Sequence, residues 1–255
     1  MKKNLVDVII PYYKKRKFIN KTISSILNQS FKNIKIILIY DDKNLNDYYF
    51  LKKRYKNKIK IILNKKNLGV GLSRNKGINF SNSEYIAFCD ADDTWKRDKL
   101  AKQIKYMKSK NLDFLHTSYY LIDEKNKKIG CMNVKDDLSY NDLIRSCDIG
   151  LSTVVIKKKI LKKNLFKDLK TKEDYCLWLQ LLRKGVKIKG LDEPLVNWRK
   201  NDSSLSSNIY QKLTDAFKLY NKYENFNVVL SLFFTIRLSV NFVFKKFNQK
   251  QNIRL

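Results

Sequence analysis

The chain of 255 residues contains two prolines, seven glycines and a single histidine. So little Pro and Gly excludes collagen-like and low-complexity architectures. The four cysteines, Cys89, Cys131, Cys147 and Cys176, stand 42, 16 and 29 residues apart. No CxxC pair exists for zinc or thiol exchange, and a lone His116 leaves no Cys/His metal centre. Scattered thiols at this density fit a reducing compartment. No secretory leader is visible, because Met1-Lys2-Lys3-Asn4 runs directly into a short apolar stretch carrying Asp7. A cytoplasmic protein is therefore expected. Acids are scarce as well: 24 Asp and Glu against 54 Lys and Arg leave a formal charge of +30. Such an excess suits a polyanionic partner, whether nucleic acid, an anionic membrane face or a phosphorylated substrate. A coding bias toward Lys, Asn and Ile accounts for the same excess with no partner at all. What the chain does have is apolar mass. Hydrophobic residues make up 44%, which excludes a disordered chain, and the length suffices for one large α/β domain or two small ones.

The apolar residues fall into alternating short runs and helical spacings. Residues 5–10 read as a buried strand stopped by Pro11, and 34–40, 59–63 and 85–89 as further strands. Between them 17–28, 46–55 and 72–80 read as helices, with Gly69 and Gly71 marking the turn into the last; 98–109 is a fourth helix. This alternation predicts βαβ units and a mainly parallel sheet, with right-handed crossovers that bring every strand's C-terminal end to one edge. Ligands bind at that edge in open α/β sheets. Pro11-Tyr12-Tyr13, Asp41-Asp42 and Asp90-Ala91-Asp92-Asp93 all follow strands and collect there. In the second half, strands are expected at 114–122, 153–156, 186–190 and 195–199, and helices at 139–146 and 173–184.

Three carboxylates within Asp90-Ala91-Asp92-Asp93 repel one another, and a divalent cation relieves that repulsion. Hard oxygen ligands suit Mg²⁺ or Mn²⁺, with waters and substrate phosphates completing the octahedron. An isolated Asp-x-Asp is more often a solvated turn capping the helix after Trp95; its place on the strand edge beside Asp41-Asp42 reverses that and favours a metal–diphosphate site.

In this order and spacing the motifs resemble those of the family 2 inverting glycosyltransferases of bacterial surface-polysaccharide synthesis, over roughly residues 5–206. Val8-Ile9-Ile10-Pro11-Tyr12-Tyr13 and Thr22 through Phe31 resemble the family's opening strand and helix. Asp41-Asp42 resembles its first acidic pair, and Asn67-Leu68-Gly69 with Arg74-Asn75-Lys76-Gly77 its next segment. Asp90-x-Asp92-Asp93 with Trp95 resembles its metal motif, Lys172-Glu173-Asp174-Tyr175 its catalytic-base helix, and Pro194 to Arg199 with Ser203 to Ser206 the loop that closes over the donor. The resemblance implies an α/β fold of the GT-A, nucleotide-diphospho-sugar transferase type, its mainly parallel central sheet flanked by helices. It places Pro11, Tyr13, Asp42, Arg74, Asp90, Arg199 and Ser204 in the donor site, with Tyr13 stacking on the base and Asp42 accepting the N3–H of uracil. Asp92, with Asp90, holds Mn²⁺ or Mg²⁺. Two departures stand out: Lys43-Asn44 replaces the usual Gly-Ser after the acidic pair, and Lys14 replaces the Asn of Pro-x-Tyr-Asn.

Inversion at an anomeric carbon needs a general base for the acceptor hydroxyl and positive charge at the departing diphosphate. Asp174 is the candidate base and Glu173 its neighbour and possible substitute; an acidic first turn favoured by the helix dipole is the competing account of both. Trp178 and Leu181, at helical spacing from Asp174, read as core. His116 reads as a strand residue with no catalytic part.

Residues 226–244 are 19 in number and 13 are apolar. Asn227, Arg237 and Asn241 argue against a membrane span. On a helical wheel, Asn227, Ser231, Thr235, Arg237, Ser239 and Asn241 share an arc of roughly 200°, while Val229, Leu232, Phe233, Ile236, Val240, Val243 and Phe244 fill an opposite arc of roughly 120°. Lys245, Lys246, Lys250 and Arg254 follow. An amphipathic helix in an anionic membrane interface is expected; packing on the domain or a partner is the alternative. The expected organisation is a catalytic domain over 1–208, its nucleotide-binding half 1–93 and acceptor-binding half 94–208, followed by a membrane-associating tail over 209–255. The expected activity is transfer of a sugar from a nucleotide diphosphate donor, a UDP-sugar, to a lipid-linked oligosaccharide at the inner face of the cell membrane. A basic nucleic-acid- or membrane-binding protein without catalysis is the alternative. Neither an RNA-binding sheet motif nor zinc-finger spacing is present, so nucleic acid is not expected as a partner.

Overall fold

The computed structural model describes residues 5–200 and 208–251, with side chains described as far as Asn241. In chain order its elements are β1 (Val6–Tyr12), α1 (Arg16–Leu27), β2 (Ile34–Tyr40), α2 (Asn46–Arg54), β3 (Lys60–Leu63), α3 (Val70–Phe80), β4 (Tyr85–Phe88), β5 (Thr94–Trp95), α4 (Lys99–Ser109) and β6 (Phe114–Ile122). Then come β7 (Lys128–Met132), β8 (Asp137–Leu138), α5 (Tyr140–Leu143), a 3₁₀ turn (Leu151–Thr153), β9 (Val155–Lys157), α6 (Lys158–Leu161), α7 (Glu173–Arg183) and β10 (Ile188–Arg199). The chain closes on α8 (Ile209–Lys218), a π-helical turn (Leu219–Tyr223) and α9 (Val228–Gln251).

The strands build one ten-stranded sheet, ordered β3-β2-β1-β4-β9-β6-β10-β5, with β7 beside β6 and β8 beside β10. The first four strands pair in parallel, as their βαβ spacing dictates. Alternation sends Val8 and Ile10 of β1 toward α1 and α4, and Ile9 toward α3 and α7, so the sheet has a core on each face. The two cores are not interchangeable. A Cβ on Gly77 of α3 would meet Ile9 Cγ2 at 2.7 Å, so glycine is what lets α3 lie close against β1.

Two expectations are corrected. Pro11 does not stop the first strand: β1 runs on to Tyr12, paired with β2 through Tyr12–Tyr40. Pro11 is tolerated because the pairing with β4 on its other side ends at Ile9–Phe88, where a missing N–H goes unnoticed. Nor do all strands end on one edge. β9 is antiparallel to both β4 and β6, because it enters from a loop at the rim instead of from a crossover helix. The two short strands expected at 186–190 and 195–199 form a single β10, paired in parallel with β6 and broken only by irregular register between Leu191 and Val196.

Candidate active site

The strand ends at the C-terminal rim carry the acids. β2 ends at Asp41-Asp42, and the two divide their tasks. Asp41 is buried and structural: its carboxylate accepts from Asn64 Nδ2 (2.7 Å), Leu68 N (2.8 Å) and Gly69 N (2.9 Å). Those bonds hold the loop that enters α3 through Gly69, whose φ of +81° suits glycine. Asp42 instead accepts from Asn44 N at 3.1 Å, an Asx turn built on the Lys43-Asn44 that departs from the family's usual Gly-Ser. Pro11 is buried within β1, while Tyr13, just past it, is 40% exposed at the rim. The adjacent Lys14 takes a left-handed φ of 50°, so the chain turns sharply after the exposed ring.

The segment after β4 is fixed from three sides. Asp93 is fully buried; it accepts from Ser152 Oγ at 2.5 Å and from Arg199 N at 2.8 Å. Ser152 Oγ in turn accepts from Asp90 N at 3.0 Å, and the Ser152 carbonyl accepts from Trp95 Nε1 at 3.0 Å. Asp90 and Asp92 are left only partly buried. Lys15 Nζ lies 2.7 Å from Asp92. Burial pushes the Asp92 carboxyl above its ordinary value, the ammonium of Lys15 opposes this, and Asp90 adds to it. The same cause, with Asp92 and Asp90 as like-charged neighbours, raises Asp93 further.

Arg74 of α3 connects this segment to α7. Its guanidinium donates to Asp90 Oδ1 at 2.7 Å and, on its other side, to Glu173 Oε1. Burial works against the charge, but Asp90 and Glu173 hold Arg74 protonated. Glu173 is buried, and burial raises its carboxyl to about 7 against the pull of Arg74. Asp174 is also raised by burial, with Arg74 opposing; it is partly exposed, and Oδ1 accepts its neighbour's Tyr175 N at 2.7 Å. Arg74 thus occupies Glu173 and leaves Asp174 as the accessible carboxylate of that turn. Lys172, in the left-handed region at φ 67°, aims the turn. The loop before it is held by Asp215 of α8, which accepts from Thr171 N at 2.8 Å and Thr171 Oγ1 at 3.0 Å.

The structure therefore brings Asp90, Asp92, Arg74, Glu173 and Asp174 into one linked cluster, with Asp42 and Tyr13 on the neighbouring strand ends. Arg199 differs from its expected part. Its fork is spent on protein: Nε on the Asp92 carbonyl (2.9 Å), Nη1 on the Asp123 carbonyl (2.6 Å) and Nη2 on Asn126 Oδ1 (2.8 Å), with the guanidinium 4.6 Å from the Phe18 ring. It fixes the backbone of the acidic segment and is not turned toward an anion. Ser204 lies outside the described residues, as do its neighbours Ser203 to Ser206. Trp178 and Leu181 are core. His116 is buried, its pKa lowered by that burial to about 3, and it takes no part in the cluster. Sequence reasoning missed Lys15 and Ser152. Lys15 sits one residue beyond a motif position and was readable as a neighbour of Tyr13, whereas nothing local marks Ser152, which reaches Asp90 and Asp93 from about sixty residues away.

Among the described residues no three His, Cys, Asp or Glu side chains converge as a complete metal cage. Two hard carboxylates, Asp90 and Asp92, are what a magnesium-type ion takes from protein when waters and substrate phosphates supply the rest. A cation already rests on one of them, the Lys15 ammonium. The donor set therefore fits a divalent cation.

A half-parallel sheet with acids on its rim and a carboxylate helix facing them defines a GT-A nucleotide-diphospho-sugar transferase fold. The chain belongs to glycosyl transferase family 2, whose model matches residues 7–169. It is 32% identical over 211 residues to WfgD of Escherichia coli, a UDP-Glc:alpha-D-GlcNAc-diphosphoundecaprenol beta-1,3-glucosyltransferase, covering 82% of each chain. Solved structures share the fold. TarS 1–349 of S. aureus in complex with UDP-GlcNAc superposes with a TM-score of 0.68 at 18% identity, over 89% of this chain and 69% of that one. The mannosyltransferase PcManGT from Pyrobaculum calidifontis, in complex with GDP-Man and Mn²⁺, gives 0.67 at 12% identity, over 91% and 70%.

Proposed function

We propose that this family 2 enzyme is an inverting, metal-dependent transferase that moves a sugar from a UDP-sugar to a lipid-linked glycan in cell-surface polysaccharide synthesis, working at the inner face of the membrane. The observation that carries the reading is the Asp90–Arg74–Glu173 linkage, which puts the acidic segment and the partly exposed Asp174 on the same rim. WfgD, named for a UDP-linked donor and a diphosphoundecaprenol acceptor, supports the substrate class. Residues 94–208 supply the acceptor side.

The proposed roles are these. Exposed Tyr13 offers a ring face to the base, and Asp42 accepts its N3–H, with Pro11 behind them. Asp90 and Asp92 would hold Mn²⁺ or Mg²⁺, which would supply positive charge to the departing diphosphate. Asp174 takes the proton of the acceptor hydroxyl, a task suited to a carboxylate whose pKa burial has raised. Arg74 keeps Asp90 and Glu173 oriented, and Arg199 fixes the main chain of Asp92.

Calorimetric titration with UDP tests the reading. Wild type should bind UDP in the presence of Mn²⁺ and lose most of that affinity on chelation, and Asp92→Ala should bind no better with the metal than without it. UDP binding that ignores both metal and Asp92 overturns the metal assignment; no binding at all overturns the nucleotide.

A further inference from the structure

α9 carries its faces the wrong way round for a helix on the surface of a water-soluble domain. The side turned to the protein is rich in hydroxyls. Ser231 and Thr235 are buried, and their Oγ atoms donate one turn back to the carbonyls of Asn227 and Ser231, both at 2.8 Å. Ser239 Oγ does the same to the Thr235 carbonyl at 2.9 Å, and Asn241 Nδ2 donates to the Arg145 carbonyl at 2.7 Å. Leu238 and the partly buried Phe234 complete this side. The side turned away is apolar: Val229 is 77% exposed and Ile236 63%, with Leu232, Phe233 and Val240 along the same stripe. α8, packed against α9, adds exposed Ile209, Tyr210 and Leu213. A contiguous apolar stripe of this kind on a surface marks an interaction site.

The charge identifies the occupant. From residue 209 onward the acids are Asp215 and Glu224, and both are buried and bonded, Asp215 to Thr171 and Glu224 to Tyr140 and Arg183. After Glu224 the sequence holds no Asp or Glu, while Arg237, Lys245, Lys246, Lys250 and Arg254 remain. Among the described residues the exposed surface from α8 to α9 is thus apolar, carries the cations Lys218 and Lys222 with a partly exposed Arg237, and bears no acid. A second copy of the same face would set like charges together, whereas anionic head groups over acyl chains match both properties. Among the described residues no helix is long and apolar enough to cross a membrane.

We propose that the outward stripe of α9 is a docking surface for an anionic lipid bilayer, on which the helix lies flat with Val229, Leu232, Phe233, Ile236 and Val240 toward the acyl chains. The inference deepens the reading above and rests on it for its purpose, since an acceptor held in a leaflet is met at the leaflet's surface. The helix itself is anchored to the catalytic domain through Leu238, Phe234 and the Asn241–Arg145 bond, so the enzyme body is held at a fixed attitude to the membrane.

Co-sedimentation with vesicles of phosphatidylglycerol and phosphatidylcholine tests it, using the full chain, Ile236→Glu and Val229→Glu. Both positions are exposed, so melting temperature and Mn²⁺-dependent UDP binding should stay at wild-type values. Vesicle affinity should fall by about tenfold to a hundredfold for each, the loss expected when one buried aliphatic contact is removed. Wild-type binding should also weaken with salt and on pure phosphatidylcholine. Wild type that ignores vesicles, or variants that bind them as wild type does, overturns the proposal. So does a concentration-dependent dimer that Ile236→Glu dissolves while vesicles are not bound, which would assign the face to a second copy. Loss of UDP binding with vesicle binding intact would count against the reaction and leave the docking surface standing.

Discussion

α1 and α9 are both two-faced helices, and they are oriented oppositely. α1 buries Phe18, Ile19, Ile23 and Ile26 against the sheet and turns Arg16, Lys17, Lys21 and Ser24 to water. α9 buries Ser231 and Thr235 beside Leu238 and turns Val229, Leu232, Phe233, Ile236 and Val240 outward. The first arrangement is what the hydrophobic effect gives a helix between a core and water. The second gains nothing from the hydrophobic effect in water, so the contrast separates a face that serves the fold from a face that is free for a partner. α7 contains both patterns. Its body, from Tyr175 to Leu179, is core, but its first turn buries Glu173 and half-buries Asp174, a cost that the fold alone does not require.

The largest expected effect comes from that first turn. Asp174→Asn should lower kcat by about 10²–10⁴-fold, the range for a lost general base, with the melting curve unchanged. The base must be ionised, so the rate should rise with pH. Because burial raises the Asp174 carboxyl, the ascending limb should lie above the ordinary aspartate value of about 3.9. A limb at that ordinary value, or near-normal turnover in the variant, removes Asp174 from the chemistry. A smaller effect sharpens the contrast of the two helices. Ile23→Ala should cost about 2–5 kcal/mol of stability in denaturant titration, and Ile236→Ala no more than about 0.5 kcal/mol. Equal losses would erase the distinction drawn here.

A third inversion lies inside the core. Lys99 is fully buried, 3.9 Å from the Trp95 ring centroid, and its Nζ has no hydrogen-bond partner among the described residues. Burial lowers its pKa to about 7. Between that value and the unperturbed value of about 10.4, the unfolded chain binds the extra proton, so stability rises with pH across this window and the penalty is full below it. Lys99→Met should therefore raise the melting temperature at neutral pH by a few degrees, and the gain should shrink as pH approaches 10. A gain that does not change with pH would mean that the variant acts through packing.

The first half of the fold was legible because its signal is local. Strand runs such as Ile34–Tyr40 and the apolar spacing of α1 are decided by residues a few positions apart. β5, β7 and β8 gave no such signal: they are two to five residues long, and neighbouring strands create them. The reversal of β9 is likewise a property of the loop that feeds it. At the site, the acids were visible as motifs, but their division of labour was not. Which of Asp41 and Asp42 serves the loop depends on Asn64 and Gly69, and what Arg199 holds depends on Asn126 and Phe18, all distant in sequence. In the tail, periodicity revealed two faces but could not say which one the domain would take. That choice lies in partners such as the Arg145 carbonyl.

Arg74 serves two acids at once, one at the end of a strand and one at the start of a helix. Whatever neutralises Asp90 frees part of that guanidinium's field for Glu173 and Asp174, which favours their ionised forms. On the roles proposed above, a donor or metal that neutralises Asp90 would thereby make Asp174 easier to ionise, so one shared side chain couples the two ends of the site.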